Sequence, residues 1–339
     1  MLADHWFIAC RSGELGAAPI ARTVQKLPLA IWRANGRPAA FLDRCPHRNA
    51  PLSLGRVADG SLECAYHGWR FATQGACVAI PGLCGGDVDA KARHATTFAC
   101  EERDGFVWVY STPDVAPARE PFRFPHLDDR RYTTVRREFT VASTMHAAAE
   151  NALDVPHTAF LHGGLFRTSR KVNEIDVIVR RTGDSVEAEF VGEPRPPGLA
   201  ARILAPGGGV VTHFDRFLLP SIAQVEYRLG EGSHLVTTSA MTPISDTETK
   251  LYAVISFRTP IPGALLRTLL MPIGMRIFRQ DAVILSKQSD TIKRFGGERF
   301  ANTEIDVLGQ QIWRLLKQAE RGAAPSTARE EVARLKMRV

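Results

Sequence analysis

Apolar positions in the first part of the chain fall in short runs: Leu29-Ala-Ile-Trp32, Ala39-Ala-Phe-Leu42 and Phe106-Val-Trp-Val-Tyr110. Asn35-Gly36, Asp59-Gly60 and Asp104-Gly105 separate them. Short apolar runs punctuated by such pairs predict strands joined by tight turns, so the region from about Trp6 to Tyr110 reads as a small all-β domain. Prolines at 113, 117, 121 and 125 then interrupt every periodicity, as an inter-domain linker does. Beyond them, Thr133 to Val141 reads as a strand, Thr144 to Asp154 as an alanine-rich helix, and Val172 to Phe257 as several strands. Helical spacing returns from about Gly274. The expected fold class is α+β: an all-β domain over residues 1–115, then a domain over 116–320 with a broad antiparallel sheet and helices before and after it. Residues 321–339 are polar and poor in aromatics, which predicts a mobile tail.

A chain of 339 residues is longer than one hydrophobic core usually organises, and 45% hydrophobic residues suffice to pack two. The start, Met1-Leu2-Ala3-Asp4-His5, has no basic stretch followed by an apolar run, so no secretory signal is read and a cytoplasmic location is expected. The longest apolar stretch, Gly263 to Phe278, is interrupted by Arg267, Pro272 and Arg276, which argues against a transmembrane helix. The net charge of +7 is dispersed among acidic residues without a basic block, which argues against nucleic acid as a partner. All six cysteines precede residue 101, a clustering that in a cytosolic chain favours metal over disulfides.

Two of those cysteines stand in a pattern. Cys45-Pro46-His47 is followed, after residues 48–63, by Cys64-Ala65-Tyr66-His67-Gly68-Trp69. A zinc finger normally keeps its cysteines in one arm and its histidines in the other, whereas here each arm supplies one of each. That interleaving suits a two-iron cluster in which two thiolates hold one iron and two imidazoles the other. Cys45 and Cys64 would take the first iron, His47 and His67 the second, with Gly68 letting the backbone approach closely. A structural zinc site is the competing reading.

A second constellation lies at Asn151-x-x-Asp154-x-x-His157-x-x-x-x-His162. On an unbroken helix residues five apart point about 140° apart, so His157 and His162 converge on one ion only if the helix bends or ends between them. Pro156 and Gly163-Gly164 supply irregular backbone. Two histidines alone make a weak site, with a pair of core histidines as the alternative, and a carboxylate would complete the facial site of a non-haem Fe(II) oxygenase. Asp281 is the candidate, because Ile277, Ile284, Leu285, Gln288 and Ile292 form a helical stripe around it, and a carboxylate buried among aliphatics needs a strong partner. Asp290 falls about 180° round that helix and reads as surface. His146 and Glu150, four apart, form an alternative ligand pair, although an ordinary side-chain contact also explains their spacing.

Cys45-Pro46-His47-Arg48 with Cys64-x-x-His67-Gly68-Trp69 resembles the Rieske fingerprint. The Asn151 to His162 motif, with Gln280-Asp281 and Gln288, resembles the iron motif of the Rieske non-haem iron oxygenases, closest in look to the vanillate demethylase-like monooxygenase branch. The resemblance covers most of the chain. It implies a Rieske domain followed by a helix-grip-type catalytic domain, with one [2Fe–2S] cluster and one mononuclear Fe2+ per subunit. It implies His157, His162 and Asp281 as iron ligands, with Asp154, beside Asn151, hydrogen-bonded between an iron histidine and a Rieske histidine. In that family the electrons cross between neighbours in a ring-shaped homotrimer. Many relatives carry an Asn-aromatic pair where this chain has Thr144-Met145, which leaves the ligands unaffected and weakens close analogy of substrate.

The activity implied is O2-dependent hydroxylation or oxidative demethylation of a small apolar ring compound, aromatic or steroid-like. No flavin or nicotinamide fingerprint is present, so a separate NAD(P)H reductase, with or without a ferredoxin, is the expected electron source, and the basic excess suits docking of an acidic donor. Alternatives are the alpha subunit of a ring-hydroxylating dioxygenase and, from another class, a Rieske electron carrier, which would end near Pro113. Candidate pocket segments are Leu199 to Val211, Phe214 to Ile222 and Gly263 to Phe278, with Arg267, Arg276 and Arg279 at a channel mouth or against lipid.

Overall fold

The structure is a computed structural model that describes residues 1–163, 174–193, 211–230, 232–322 and 331–338. The chain divides into two compact units, Met1–Arg123 and Phe124–Val339, so the division falls inside the proline-rich stretch and later than residue 115.

The first unit is all β. Strands β1 (Trp6–Arg11), β2 (Ile20–Val24), β3 (Leu27–Ala34), β4 (Arg37–Leu42), β9 (Thr97–Arg103) and β10 (Phe106–Pro113) form a sheet in the order β1-β10-β9-β4-β3-β2. Between β4 and β9 the chain makes a small meander of β5 (Arg56–Ala58), β6 (Ser61–Glu63), β7 (Arg70–Phe71) and β8 (Cys77–Ala79). The three expected turns are two-residue hairpins in which both residues have positive φ, for example Asn35 at 51° and Gly36 at 81°. That geometry matches the twist of the flanking strands. A fourth such turn, between β2 and β3, uses Gln25 and Lys26 at φ 51° and 68°. Nothing in those residue types announces it. The Gln25 side chain instead pairs with the backbone of Leu2 in both directions at 2.7 Å, fastening the N-terminal residues.

One apolar core joins the large sheet to the meander: Trp32, Phe41, Leu52, Leu62 and Phe71 are all fully buried, and Cys45, Cys64 and Cys77 pack among them. The two ligand-bearing loops therefore rest on the core itself, Cys45 after β4 and Cys64 between β6 and β7.

The second unit is α+β. Its sheet has the order β11-β17-β16-β15-β14-β13-β12-β18, antiparallel at each of its pairings. The strands are β11 (Thr133–Val141), β12 (Glu174–Arg181), β13 (Ser185–Val191), β14 (Val211–Leu218), β15 (Ile222–Leu229), β16 (His234–Ser245), β17 (Glu248–Arg258) and β18 (Glu331–Arg338). Helices α1 (Met145–Leu153) and α2 (His157–Phe160) follow β11, and α3 (Gly263–Arg294) and α4 (Gly309–Glu320) follow β17. Leu266 of α3 is buried against Val135, Val211, Leu229 and Phe257 from four strands, which fixes the helix over the sheet. Thr144 caps α1, its hydroxyl accepting from the Ala147 N–H at 3.1 Å.

Three expectations are corrected. Residues 331–338 are not a mobile tail; they pair with β12 from Glu331↔Arg181 to Arg338↔Glu174. Their side chains are mostly exposed, so backbone pairing rather than a hydrophobic face holds them at the edge. Helix α3 begins at Gly263, earlier than the spacing suggested, and runs through Pro272. The stripe around Asp281 is only partly buried, with Leu285 at 5% exposure and Ile284 at 46%.

A Cβ at Gly55 would lie 2.1 Å from the carbonyl oxygen of Glu63, the residue before Cys64. Gly55→Ala is expected to destabilise the first unit by about 2–3 kcal/mol and to lower cluster content, whereas Gly36→Ala, with open space around it, strains only a turn. Thermal unfolding and the visible absorption of the cluster check this.

Candidate metal centres

The two cysteine loops of the first unit repeat one backbone pattern. The Cys45 N–H donates to the Ala50 carbonyl and the Asn49 N–H to the Cys45 carbonyl, at 2.8 and 2.9 Å. Cys64 does the same with Trp69 and Gly68, at 2.8 and 3.0 Å. The fourth residue after each cysteine is left-handed, Asn49 at φ 61° and Gly68 at 68°, a conformation that Gly and Asn adopt at least cost.

The imidazoles of His47 and His67 are brought together with ring centroids 4.6 Å apart, and Trp69 stacks on His47 at 4.5 Å and 6°. The His47 Nδ1 is buried without a hydrogen-bond partner, as a nitrogen meant for a metal would be. Desolvation, then His67 and Arg48, hold that imidazole below its usual range, in the neutral form a metal requires. Burial pushes the Cys45 thiol up to about 11, with Cys64 adding to the effect, so the paired thiolates need bound cations. The two-plus-two donor set, one thiolate and one imidazole from each loop, is in keeping with a two-iron cluster.

In the second unit, one ligand atom each from His157, His162 and Asp281 lies within 4.8 Å of the other two. Helix α2 is the single turn His157–Phe160 with Leu161 as its C-cap, so His162 follows the helix and the two rings lie 5.1 Å apart at 77°. The Asp281 Oδ1 is 3.6 Å from His157 Nε2 and 3.0 Å from His162 Nε2. The latter nitrogen is buried yet lacks the alignment of a hydrogen bond.

Both imidazoles are held from behind. Asp154 Oδ2 lies 3.2 Å from His157 Nδ1 and accepts from the His157 N–H, also at 3.2 Å. Gln280 Oε1 accepts from His162 Nδ1 at 3.0 Å. Protons on both Nδ1 atoms leave both Nε2 atoms as ligands, the arrangement that orients metal-bound histidines. The Asn151 amide donates to Asp281 Oδ1 at 3.5 Å. Burial alone would push His157 down, but Asp154 and Asp281 outweigh it and hold it up at about 9. Burial likewise pushes the Asp281 carboxyl up, and the two imidazoles more than reverse it. The site favours positive charge at its centre. Its donor set, two Nε2 atoms and one carboxylate, fits Fe(II) with coordination positions to spare.

The other candidates lie elsewhere. His146 Nε2 meets the Gly309 carbonyl at 3.0 Å, and Glu150 packs against Gly309, so this pair joins α1 to α4 and is not part of the convergent group. Asp290 is exposed. Of the expected pocket segments, residues 199–210 lie outside the described residues, and Gly263 to Phe278 contributes Ile277 to the wall.

The cavity beside these three side chains measures about 250 Å³ and is lined by His157, His162, Asp281 and a patch of sheet that includes Val225, Tyr227, Leu229 and Leu235. His213 and Asp215 also line it; Asp215 falls within the expected segment Phe214 to Ile222, but neither residue was singled out for itself from the sequence. The signal was legible: β14 alternates strictly, placing His213 and Asp215 on the same buried face as Val211 and Phe217. A second cavity of about 200 Å³ shares Asn151 and Asp154 with the first and adds Glu150, Gln288 and Asp306.

Gln280→Leu is expected to lower affinity for the mononuclear iron 10- to 100-fold and leave the cluster spectrum unchanged, which iron retention against a chelator measures. A pH dependence follows from His213. Burial pushes its imidazole down, but Asp215 and Glu193 outweigh this and raise it to about 9. The stabilisation is therefore complete below the unfolded value of about 6.5 and lost as pH rises through about 9. The melting temperature of the metal-loaded protein is expected to fall more between those limits than that of His213→Gln.

Residues 5–88 match the Rieske [2Fe–2S] domain family, and residues 141–322, more than half of the chain, match the vanillate O-demethylase oxygenase C-terminal domain family. The chain is 27% identical to the vanillate O-demethylase oxygenase subunit of a Pseudomonas species, over 92% of this chain and 93% of that one. It is 34% identical to the dicamba O-demethylase oxygenase component of Stenotrophomonas maltophilia, over 47% of each. Among solved structures, dicamba monooxygenase bound to 3,6-dichlorosalicylic acid superposes with a TM-score of 0.79 at 25% identity, covering 96% of this chain and 99% of that one. The chain belongs to the Rieske non-haem iron oxygenases of the vanillate O-demethylase type, oxidoreductases that carry a [2Fe–2S] cluster and a mononuclear iron.

Proposed function

We propose that this chain is the oxygenase component of a monooxygenase that hydroxylates or oxidatively demethylates an apolar ring compound, with electrons from a separate NAD(P)H reductase. The observation that carries the reading is the convergence of His157, His162 and Asp281 on the wall of a largely apolar cavity. Relatives point the same way by name: a vanillate O-demethylase, a dicamba O-demethylase and a methylxanthine N1-demethylase of Pseudomonas putida, 31% identical over 48% of each chain. Each is named for removing a methyl group from O or N of a ring.

Cys45, His47, Cys64 and His67 would hold the cluster, and His157, His162 and Asp281 the iron. The chemistry these groups supply when bound is electron storage and reductive activation of O2. The chain's own residues do the rest. Val225, Leu229, Leu235 and Ile277 exclude water and grip a ring. Gln280 and Asp154 hold the two iron histidines in one tautomer. Inserting one oxygen atom into a C–H bond consumes O2, two electrons and two protons and releases water; a hydroxylated O- or N-methyl group then leaves as formaldehyde.

Asp154 has a second role in this reading. It borders both cavities, which supports its meeting a Rieske histidine, His67, of a neighbouring chain in a homotrimer. Family oxygenase components work with a separate reductase or ferredoxin, and among the described residues no helix is long and apolar enough to cross a membrane. The +7 charge suits an acidic redox partner.

Iron analysis should give three irons per fully loaded chain, the sum of a two-iron cluster and one mononuclear site, where an electron carrier would give two. Reduced enzyme mixed with O2 and a ring-methoxylated substrate should release formaldehyde. Asp154→Asn is expected to retain all three irons and lose product formation by at least about 100-fold; full activity in that variant would end the coupling role.

A further inference from the structure

The sheet side of the first cavity carries a hydroxyl that the metal chemistry leaves unused. Thr237 lies in β16, paired with Val225 of β15 on one side and with Ile255 of β17 on the other. Thr237 and Val225 line the cavity together with Leu235, which stands two residues earlier on the same face of β16. Ile255 packs into the apolar cluster around Leu266. The neighbours of Thr237 on its own sheet are therefore aliphatic, and its side chain is half-buried.

The adjacent threonine shows what the fold does with such a group. Thr238 points to the opposite face, is 1% exposed, and its hydroxyl accepts from the Gln224 amide at 3.1 Å. Other polar side chains on the cavity wall are engaged too: Asn151 donates to Asp281, Thr158 to the Val155 carbonyl and His162 to Gln280. Among the described residues the Thr237 hydroxyl makes no hydrogen bond. Strand preference does not account for it, because valine is branched at the same carbon and suits a strand equally well. An apolar ring laid on this wall cuts the hydroxyl off from water, and a hydroxyl left unmatched opposes binding. A ring that brings an oxygen to it regains the bond. Asp154 and Asp281 border the same cavity as acceptors, so what Thr237 adds is an uncharged donor.

We propose that Thr237 is a specificity-determining residue of the substrate pocket, its hydroxyl donating to a neutral carbonyl oxygen carried by the ring, so that this oxygenase takes carbonyl-bearing rings over their hydrocarbon counterparts. The inference rests on the oxygenase reading for the identity of the cavity, and it adds the substituent chemistry which that reading leaves open. Val225, Leu235 and Ile277 take the apolar part of the ring, and the hydroxyl between them fixes which edge of the ring lies on the sheet.

The test is calorimetric binding of two probes to the metal-loaded full chain, without reductant: meta-methoxyacetophenone and meta-methoxy-α-methylstyrene, which differ only in a carbonyl oxygen against a methylene. Wild-type protein is expected to bind the ketone at least about threefold tighter than the alkene, the size of one neutral hydrogen bond regained. Thr237→Val should abolish or invert that preference, and Thr237→Ser, which keeps the hydroxyl, should retain it. The melting temperature of Thr237→Val is expected not to fall, since the hydroxyl serves the ligand and not the fold. Equal binding of the two probes, tighter binding of the alkene, or no measurable binding of either by wild-type protein overturns the proposal, and this arm decides alone should a variant fail to fold. An unchanged preference in folded, iron-loaded Thr237→Val overturns the assignment to Thr237. Binding is read without turnover, so the two readings fail separately: preference without oxygenated product removes the oxygenase reading, and product without preference removes the role of Thr237.

Discussion

Two histidines five residues apart can face one ion only if the helix that begins at the first stops before the second. Here α2 is a single turn, and His162 lies directly after its C-cap, Leu161. This break sets what the second unit must supply. The third ligand comes from α3, more than a hundred residues on, and α3 is held in place by Leu266 against four strands. The sheet is therefore as much a part of the metal centre as the ligands, since without that packing Asp281 has no reason to lie 3.0 Å from His162. The backing hydrogen bonds complete the constraint: Asp154 and Gln280 fix which nitrogen of each ring is free.

The first unit solves a similar problem by repetition. Each cysteine begins a loop in which its carbonyl accepts from the residue four on and its N–H donates to the carbonyl five on. Because the left-handed residue falls at the same place in both, the histidine of each arm can be two or three residues after its cysteine and still meet its counterpart at 4.6 Å. The unequal spacing that distinguishes Cys-x-His from Cys-x-x-His is absorbed within loops of one shape. Packing both cysteines into the core with Trp32 and Phe71 keeps that shape rigid.

Local chemistry in this chain was legible wherever residue type dictates backbone or ligand. Asn-Gly and Asp-Gly gave the hairpins, and the cysteine and histidine arms marked two loops whose imidazoles the structure brings to 4.6 Å. Asp281 was preferred to Asp290 from helical phase, and the structure places only Asp281 beside the histidines. Features settled by tertiary pairing were not legible. The Gln25-Lys26 turn uses residues with no preference for positive φ, and β18 is polar because backbone pairing at an edge needs no apolar face. His213 and Asp215 were overlooked for a related reason. In a strand that reads Val-Thr-His-Phe-Asp-Arg-Phe, the apolar residues draw attention to Phe214 and Phe217, yet the period of two puts His213 and Asp215 inward beside Phe217 and leaves Phe214 on the other face.

The electrostatics of the cavity follow from that inward row. Asp154, Asp281, Asp215 and the imidazoles between them are gathered where water is largely excluded, which a fold under selection for stability alone would not do. The two sets are compensated differently. Asp281 and Asp154 raise His157, and a divalent ion replacing that proton satisfies the same field with more charge. Asp215 and Glu193 instead flank His213, a permanent part of the sheet, at 2.9 and 2.7 Å. The strand register and the position of α3 thus set one carboxylate beside His157 and His162 and another beside His213, on the wall of one cavity.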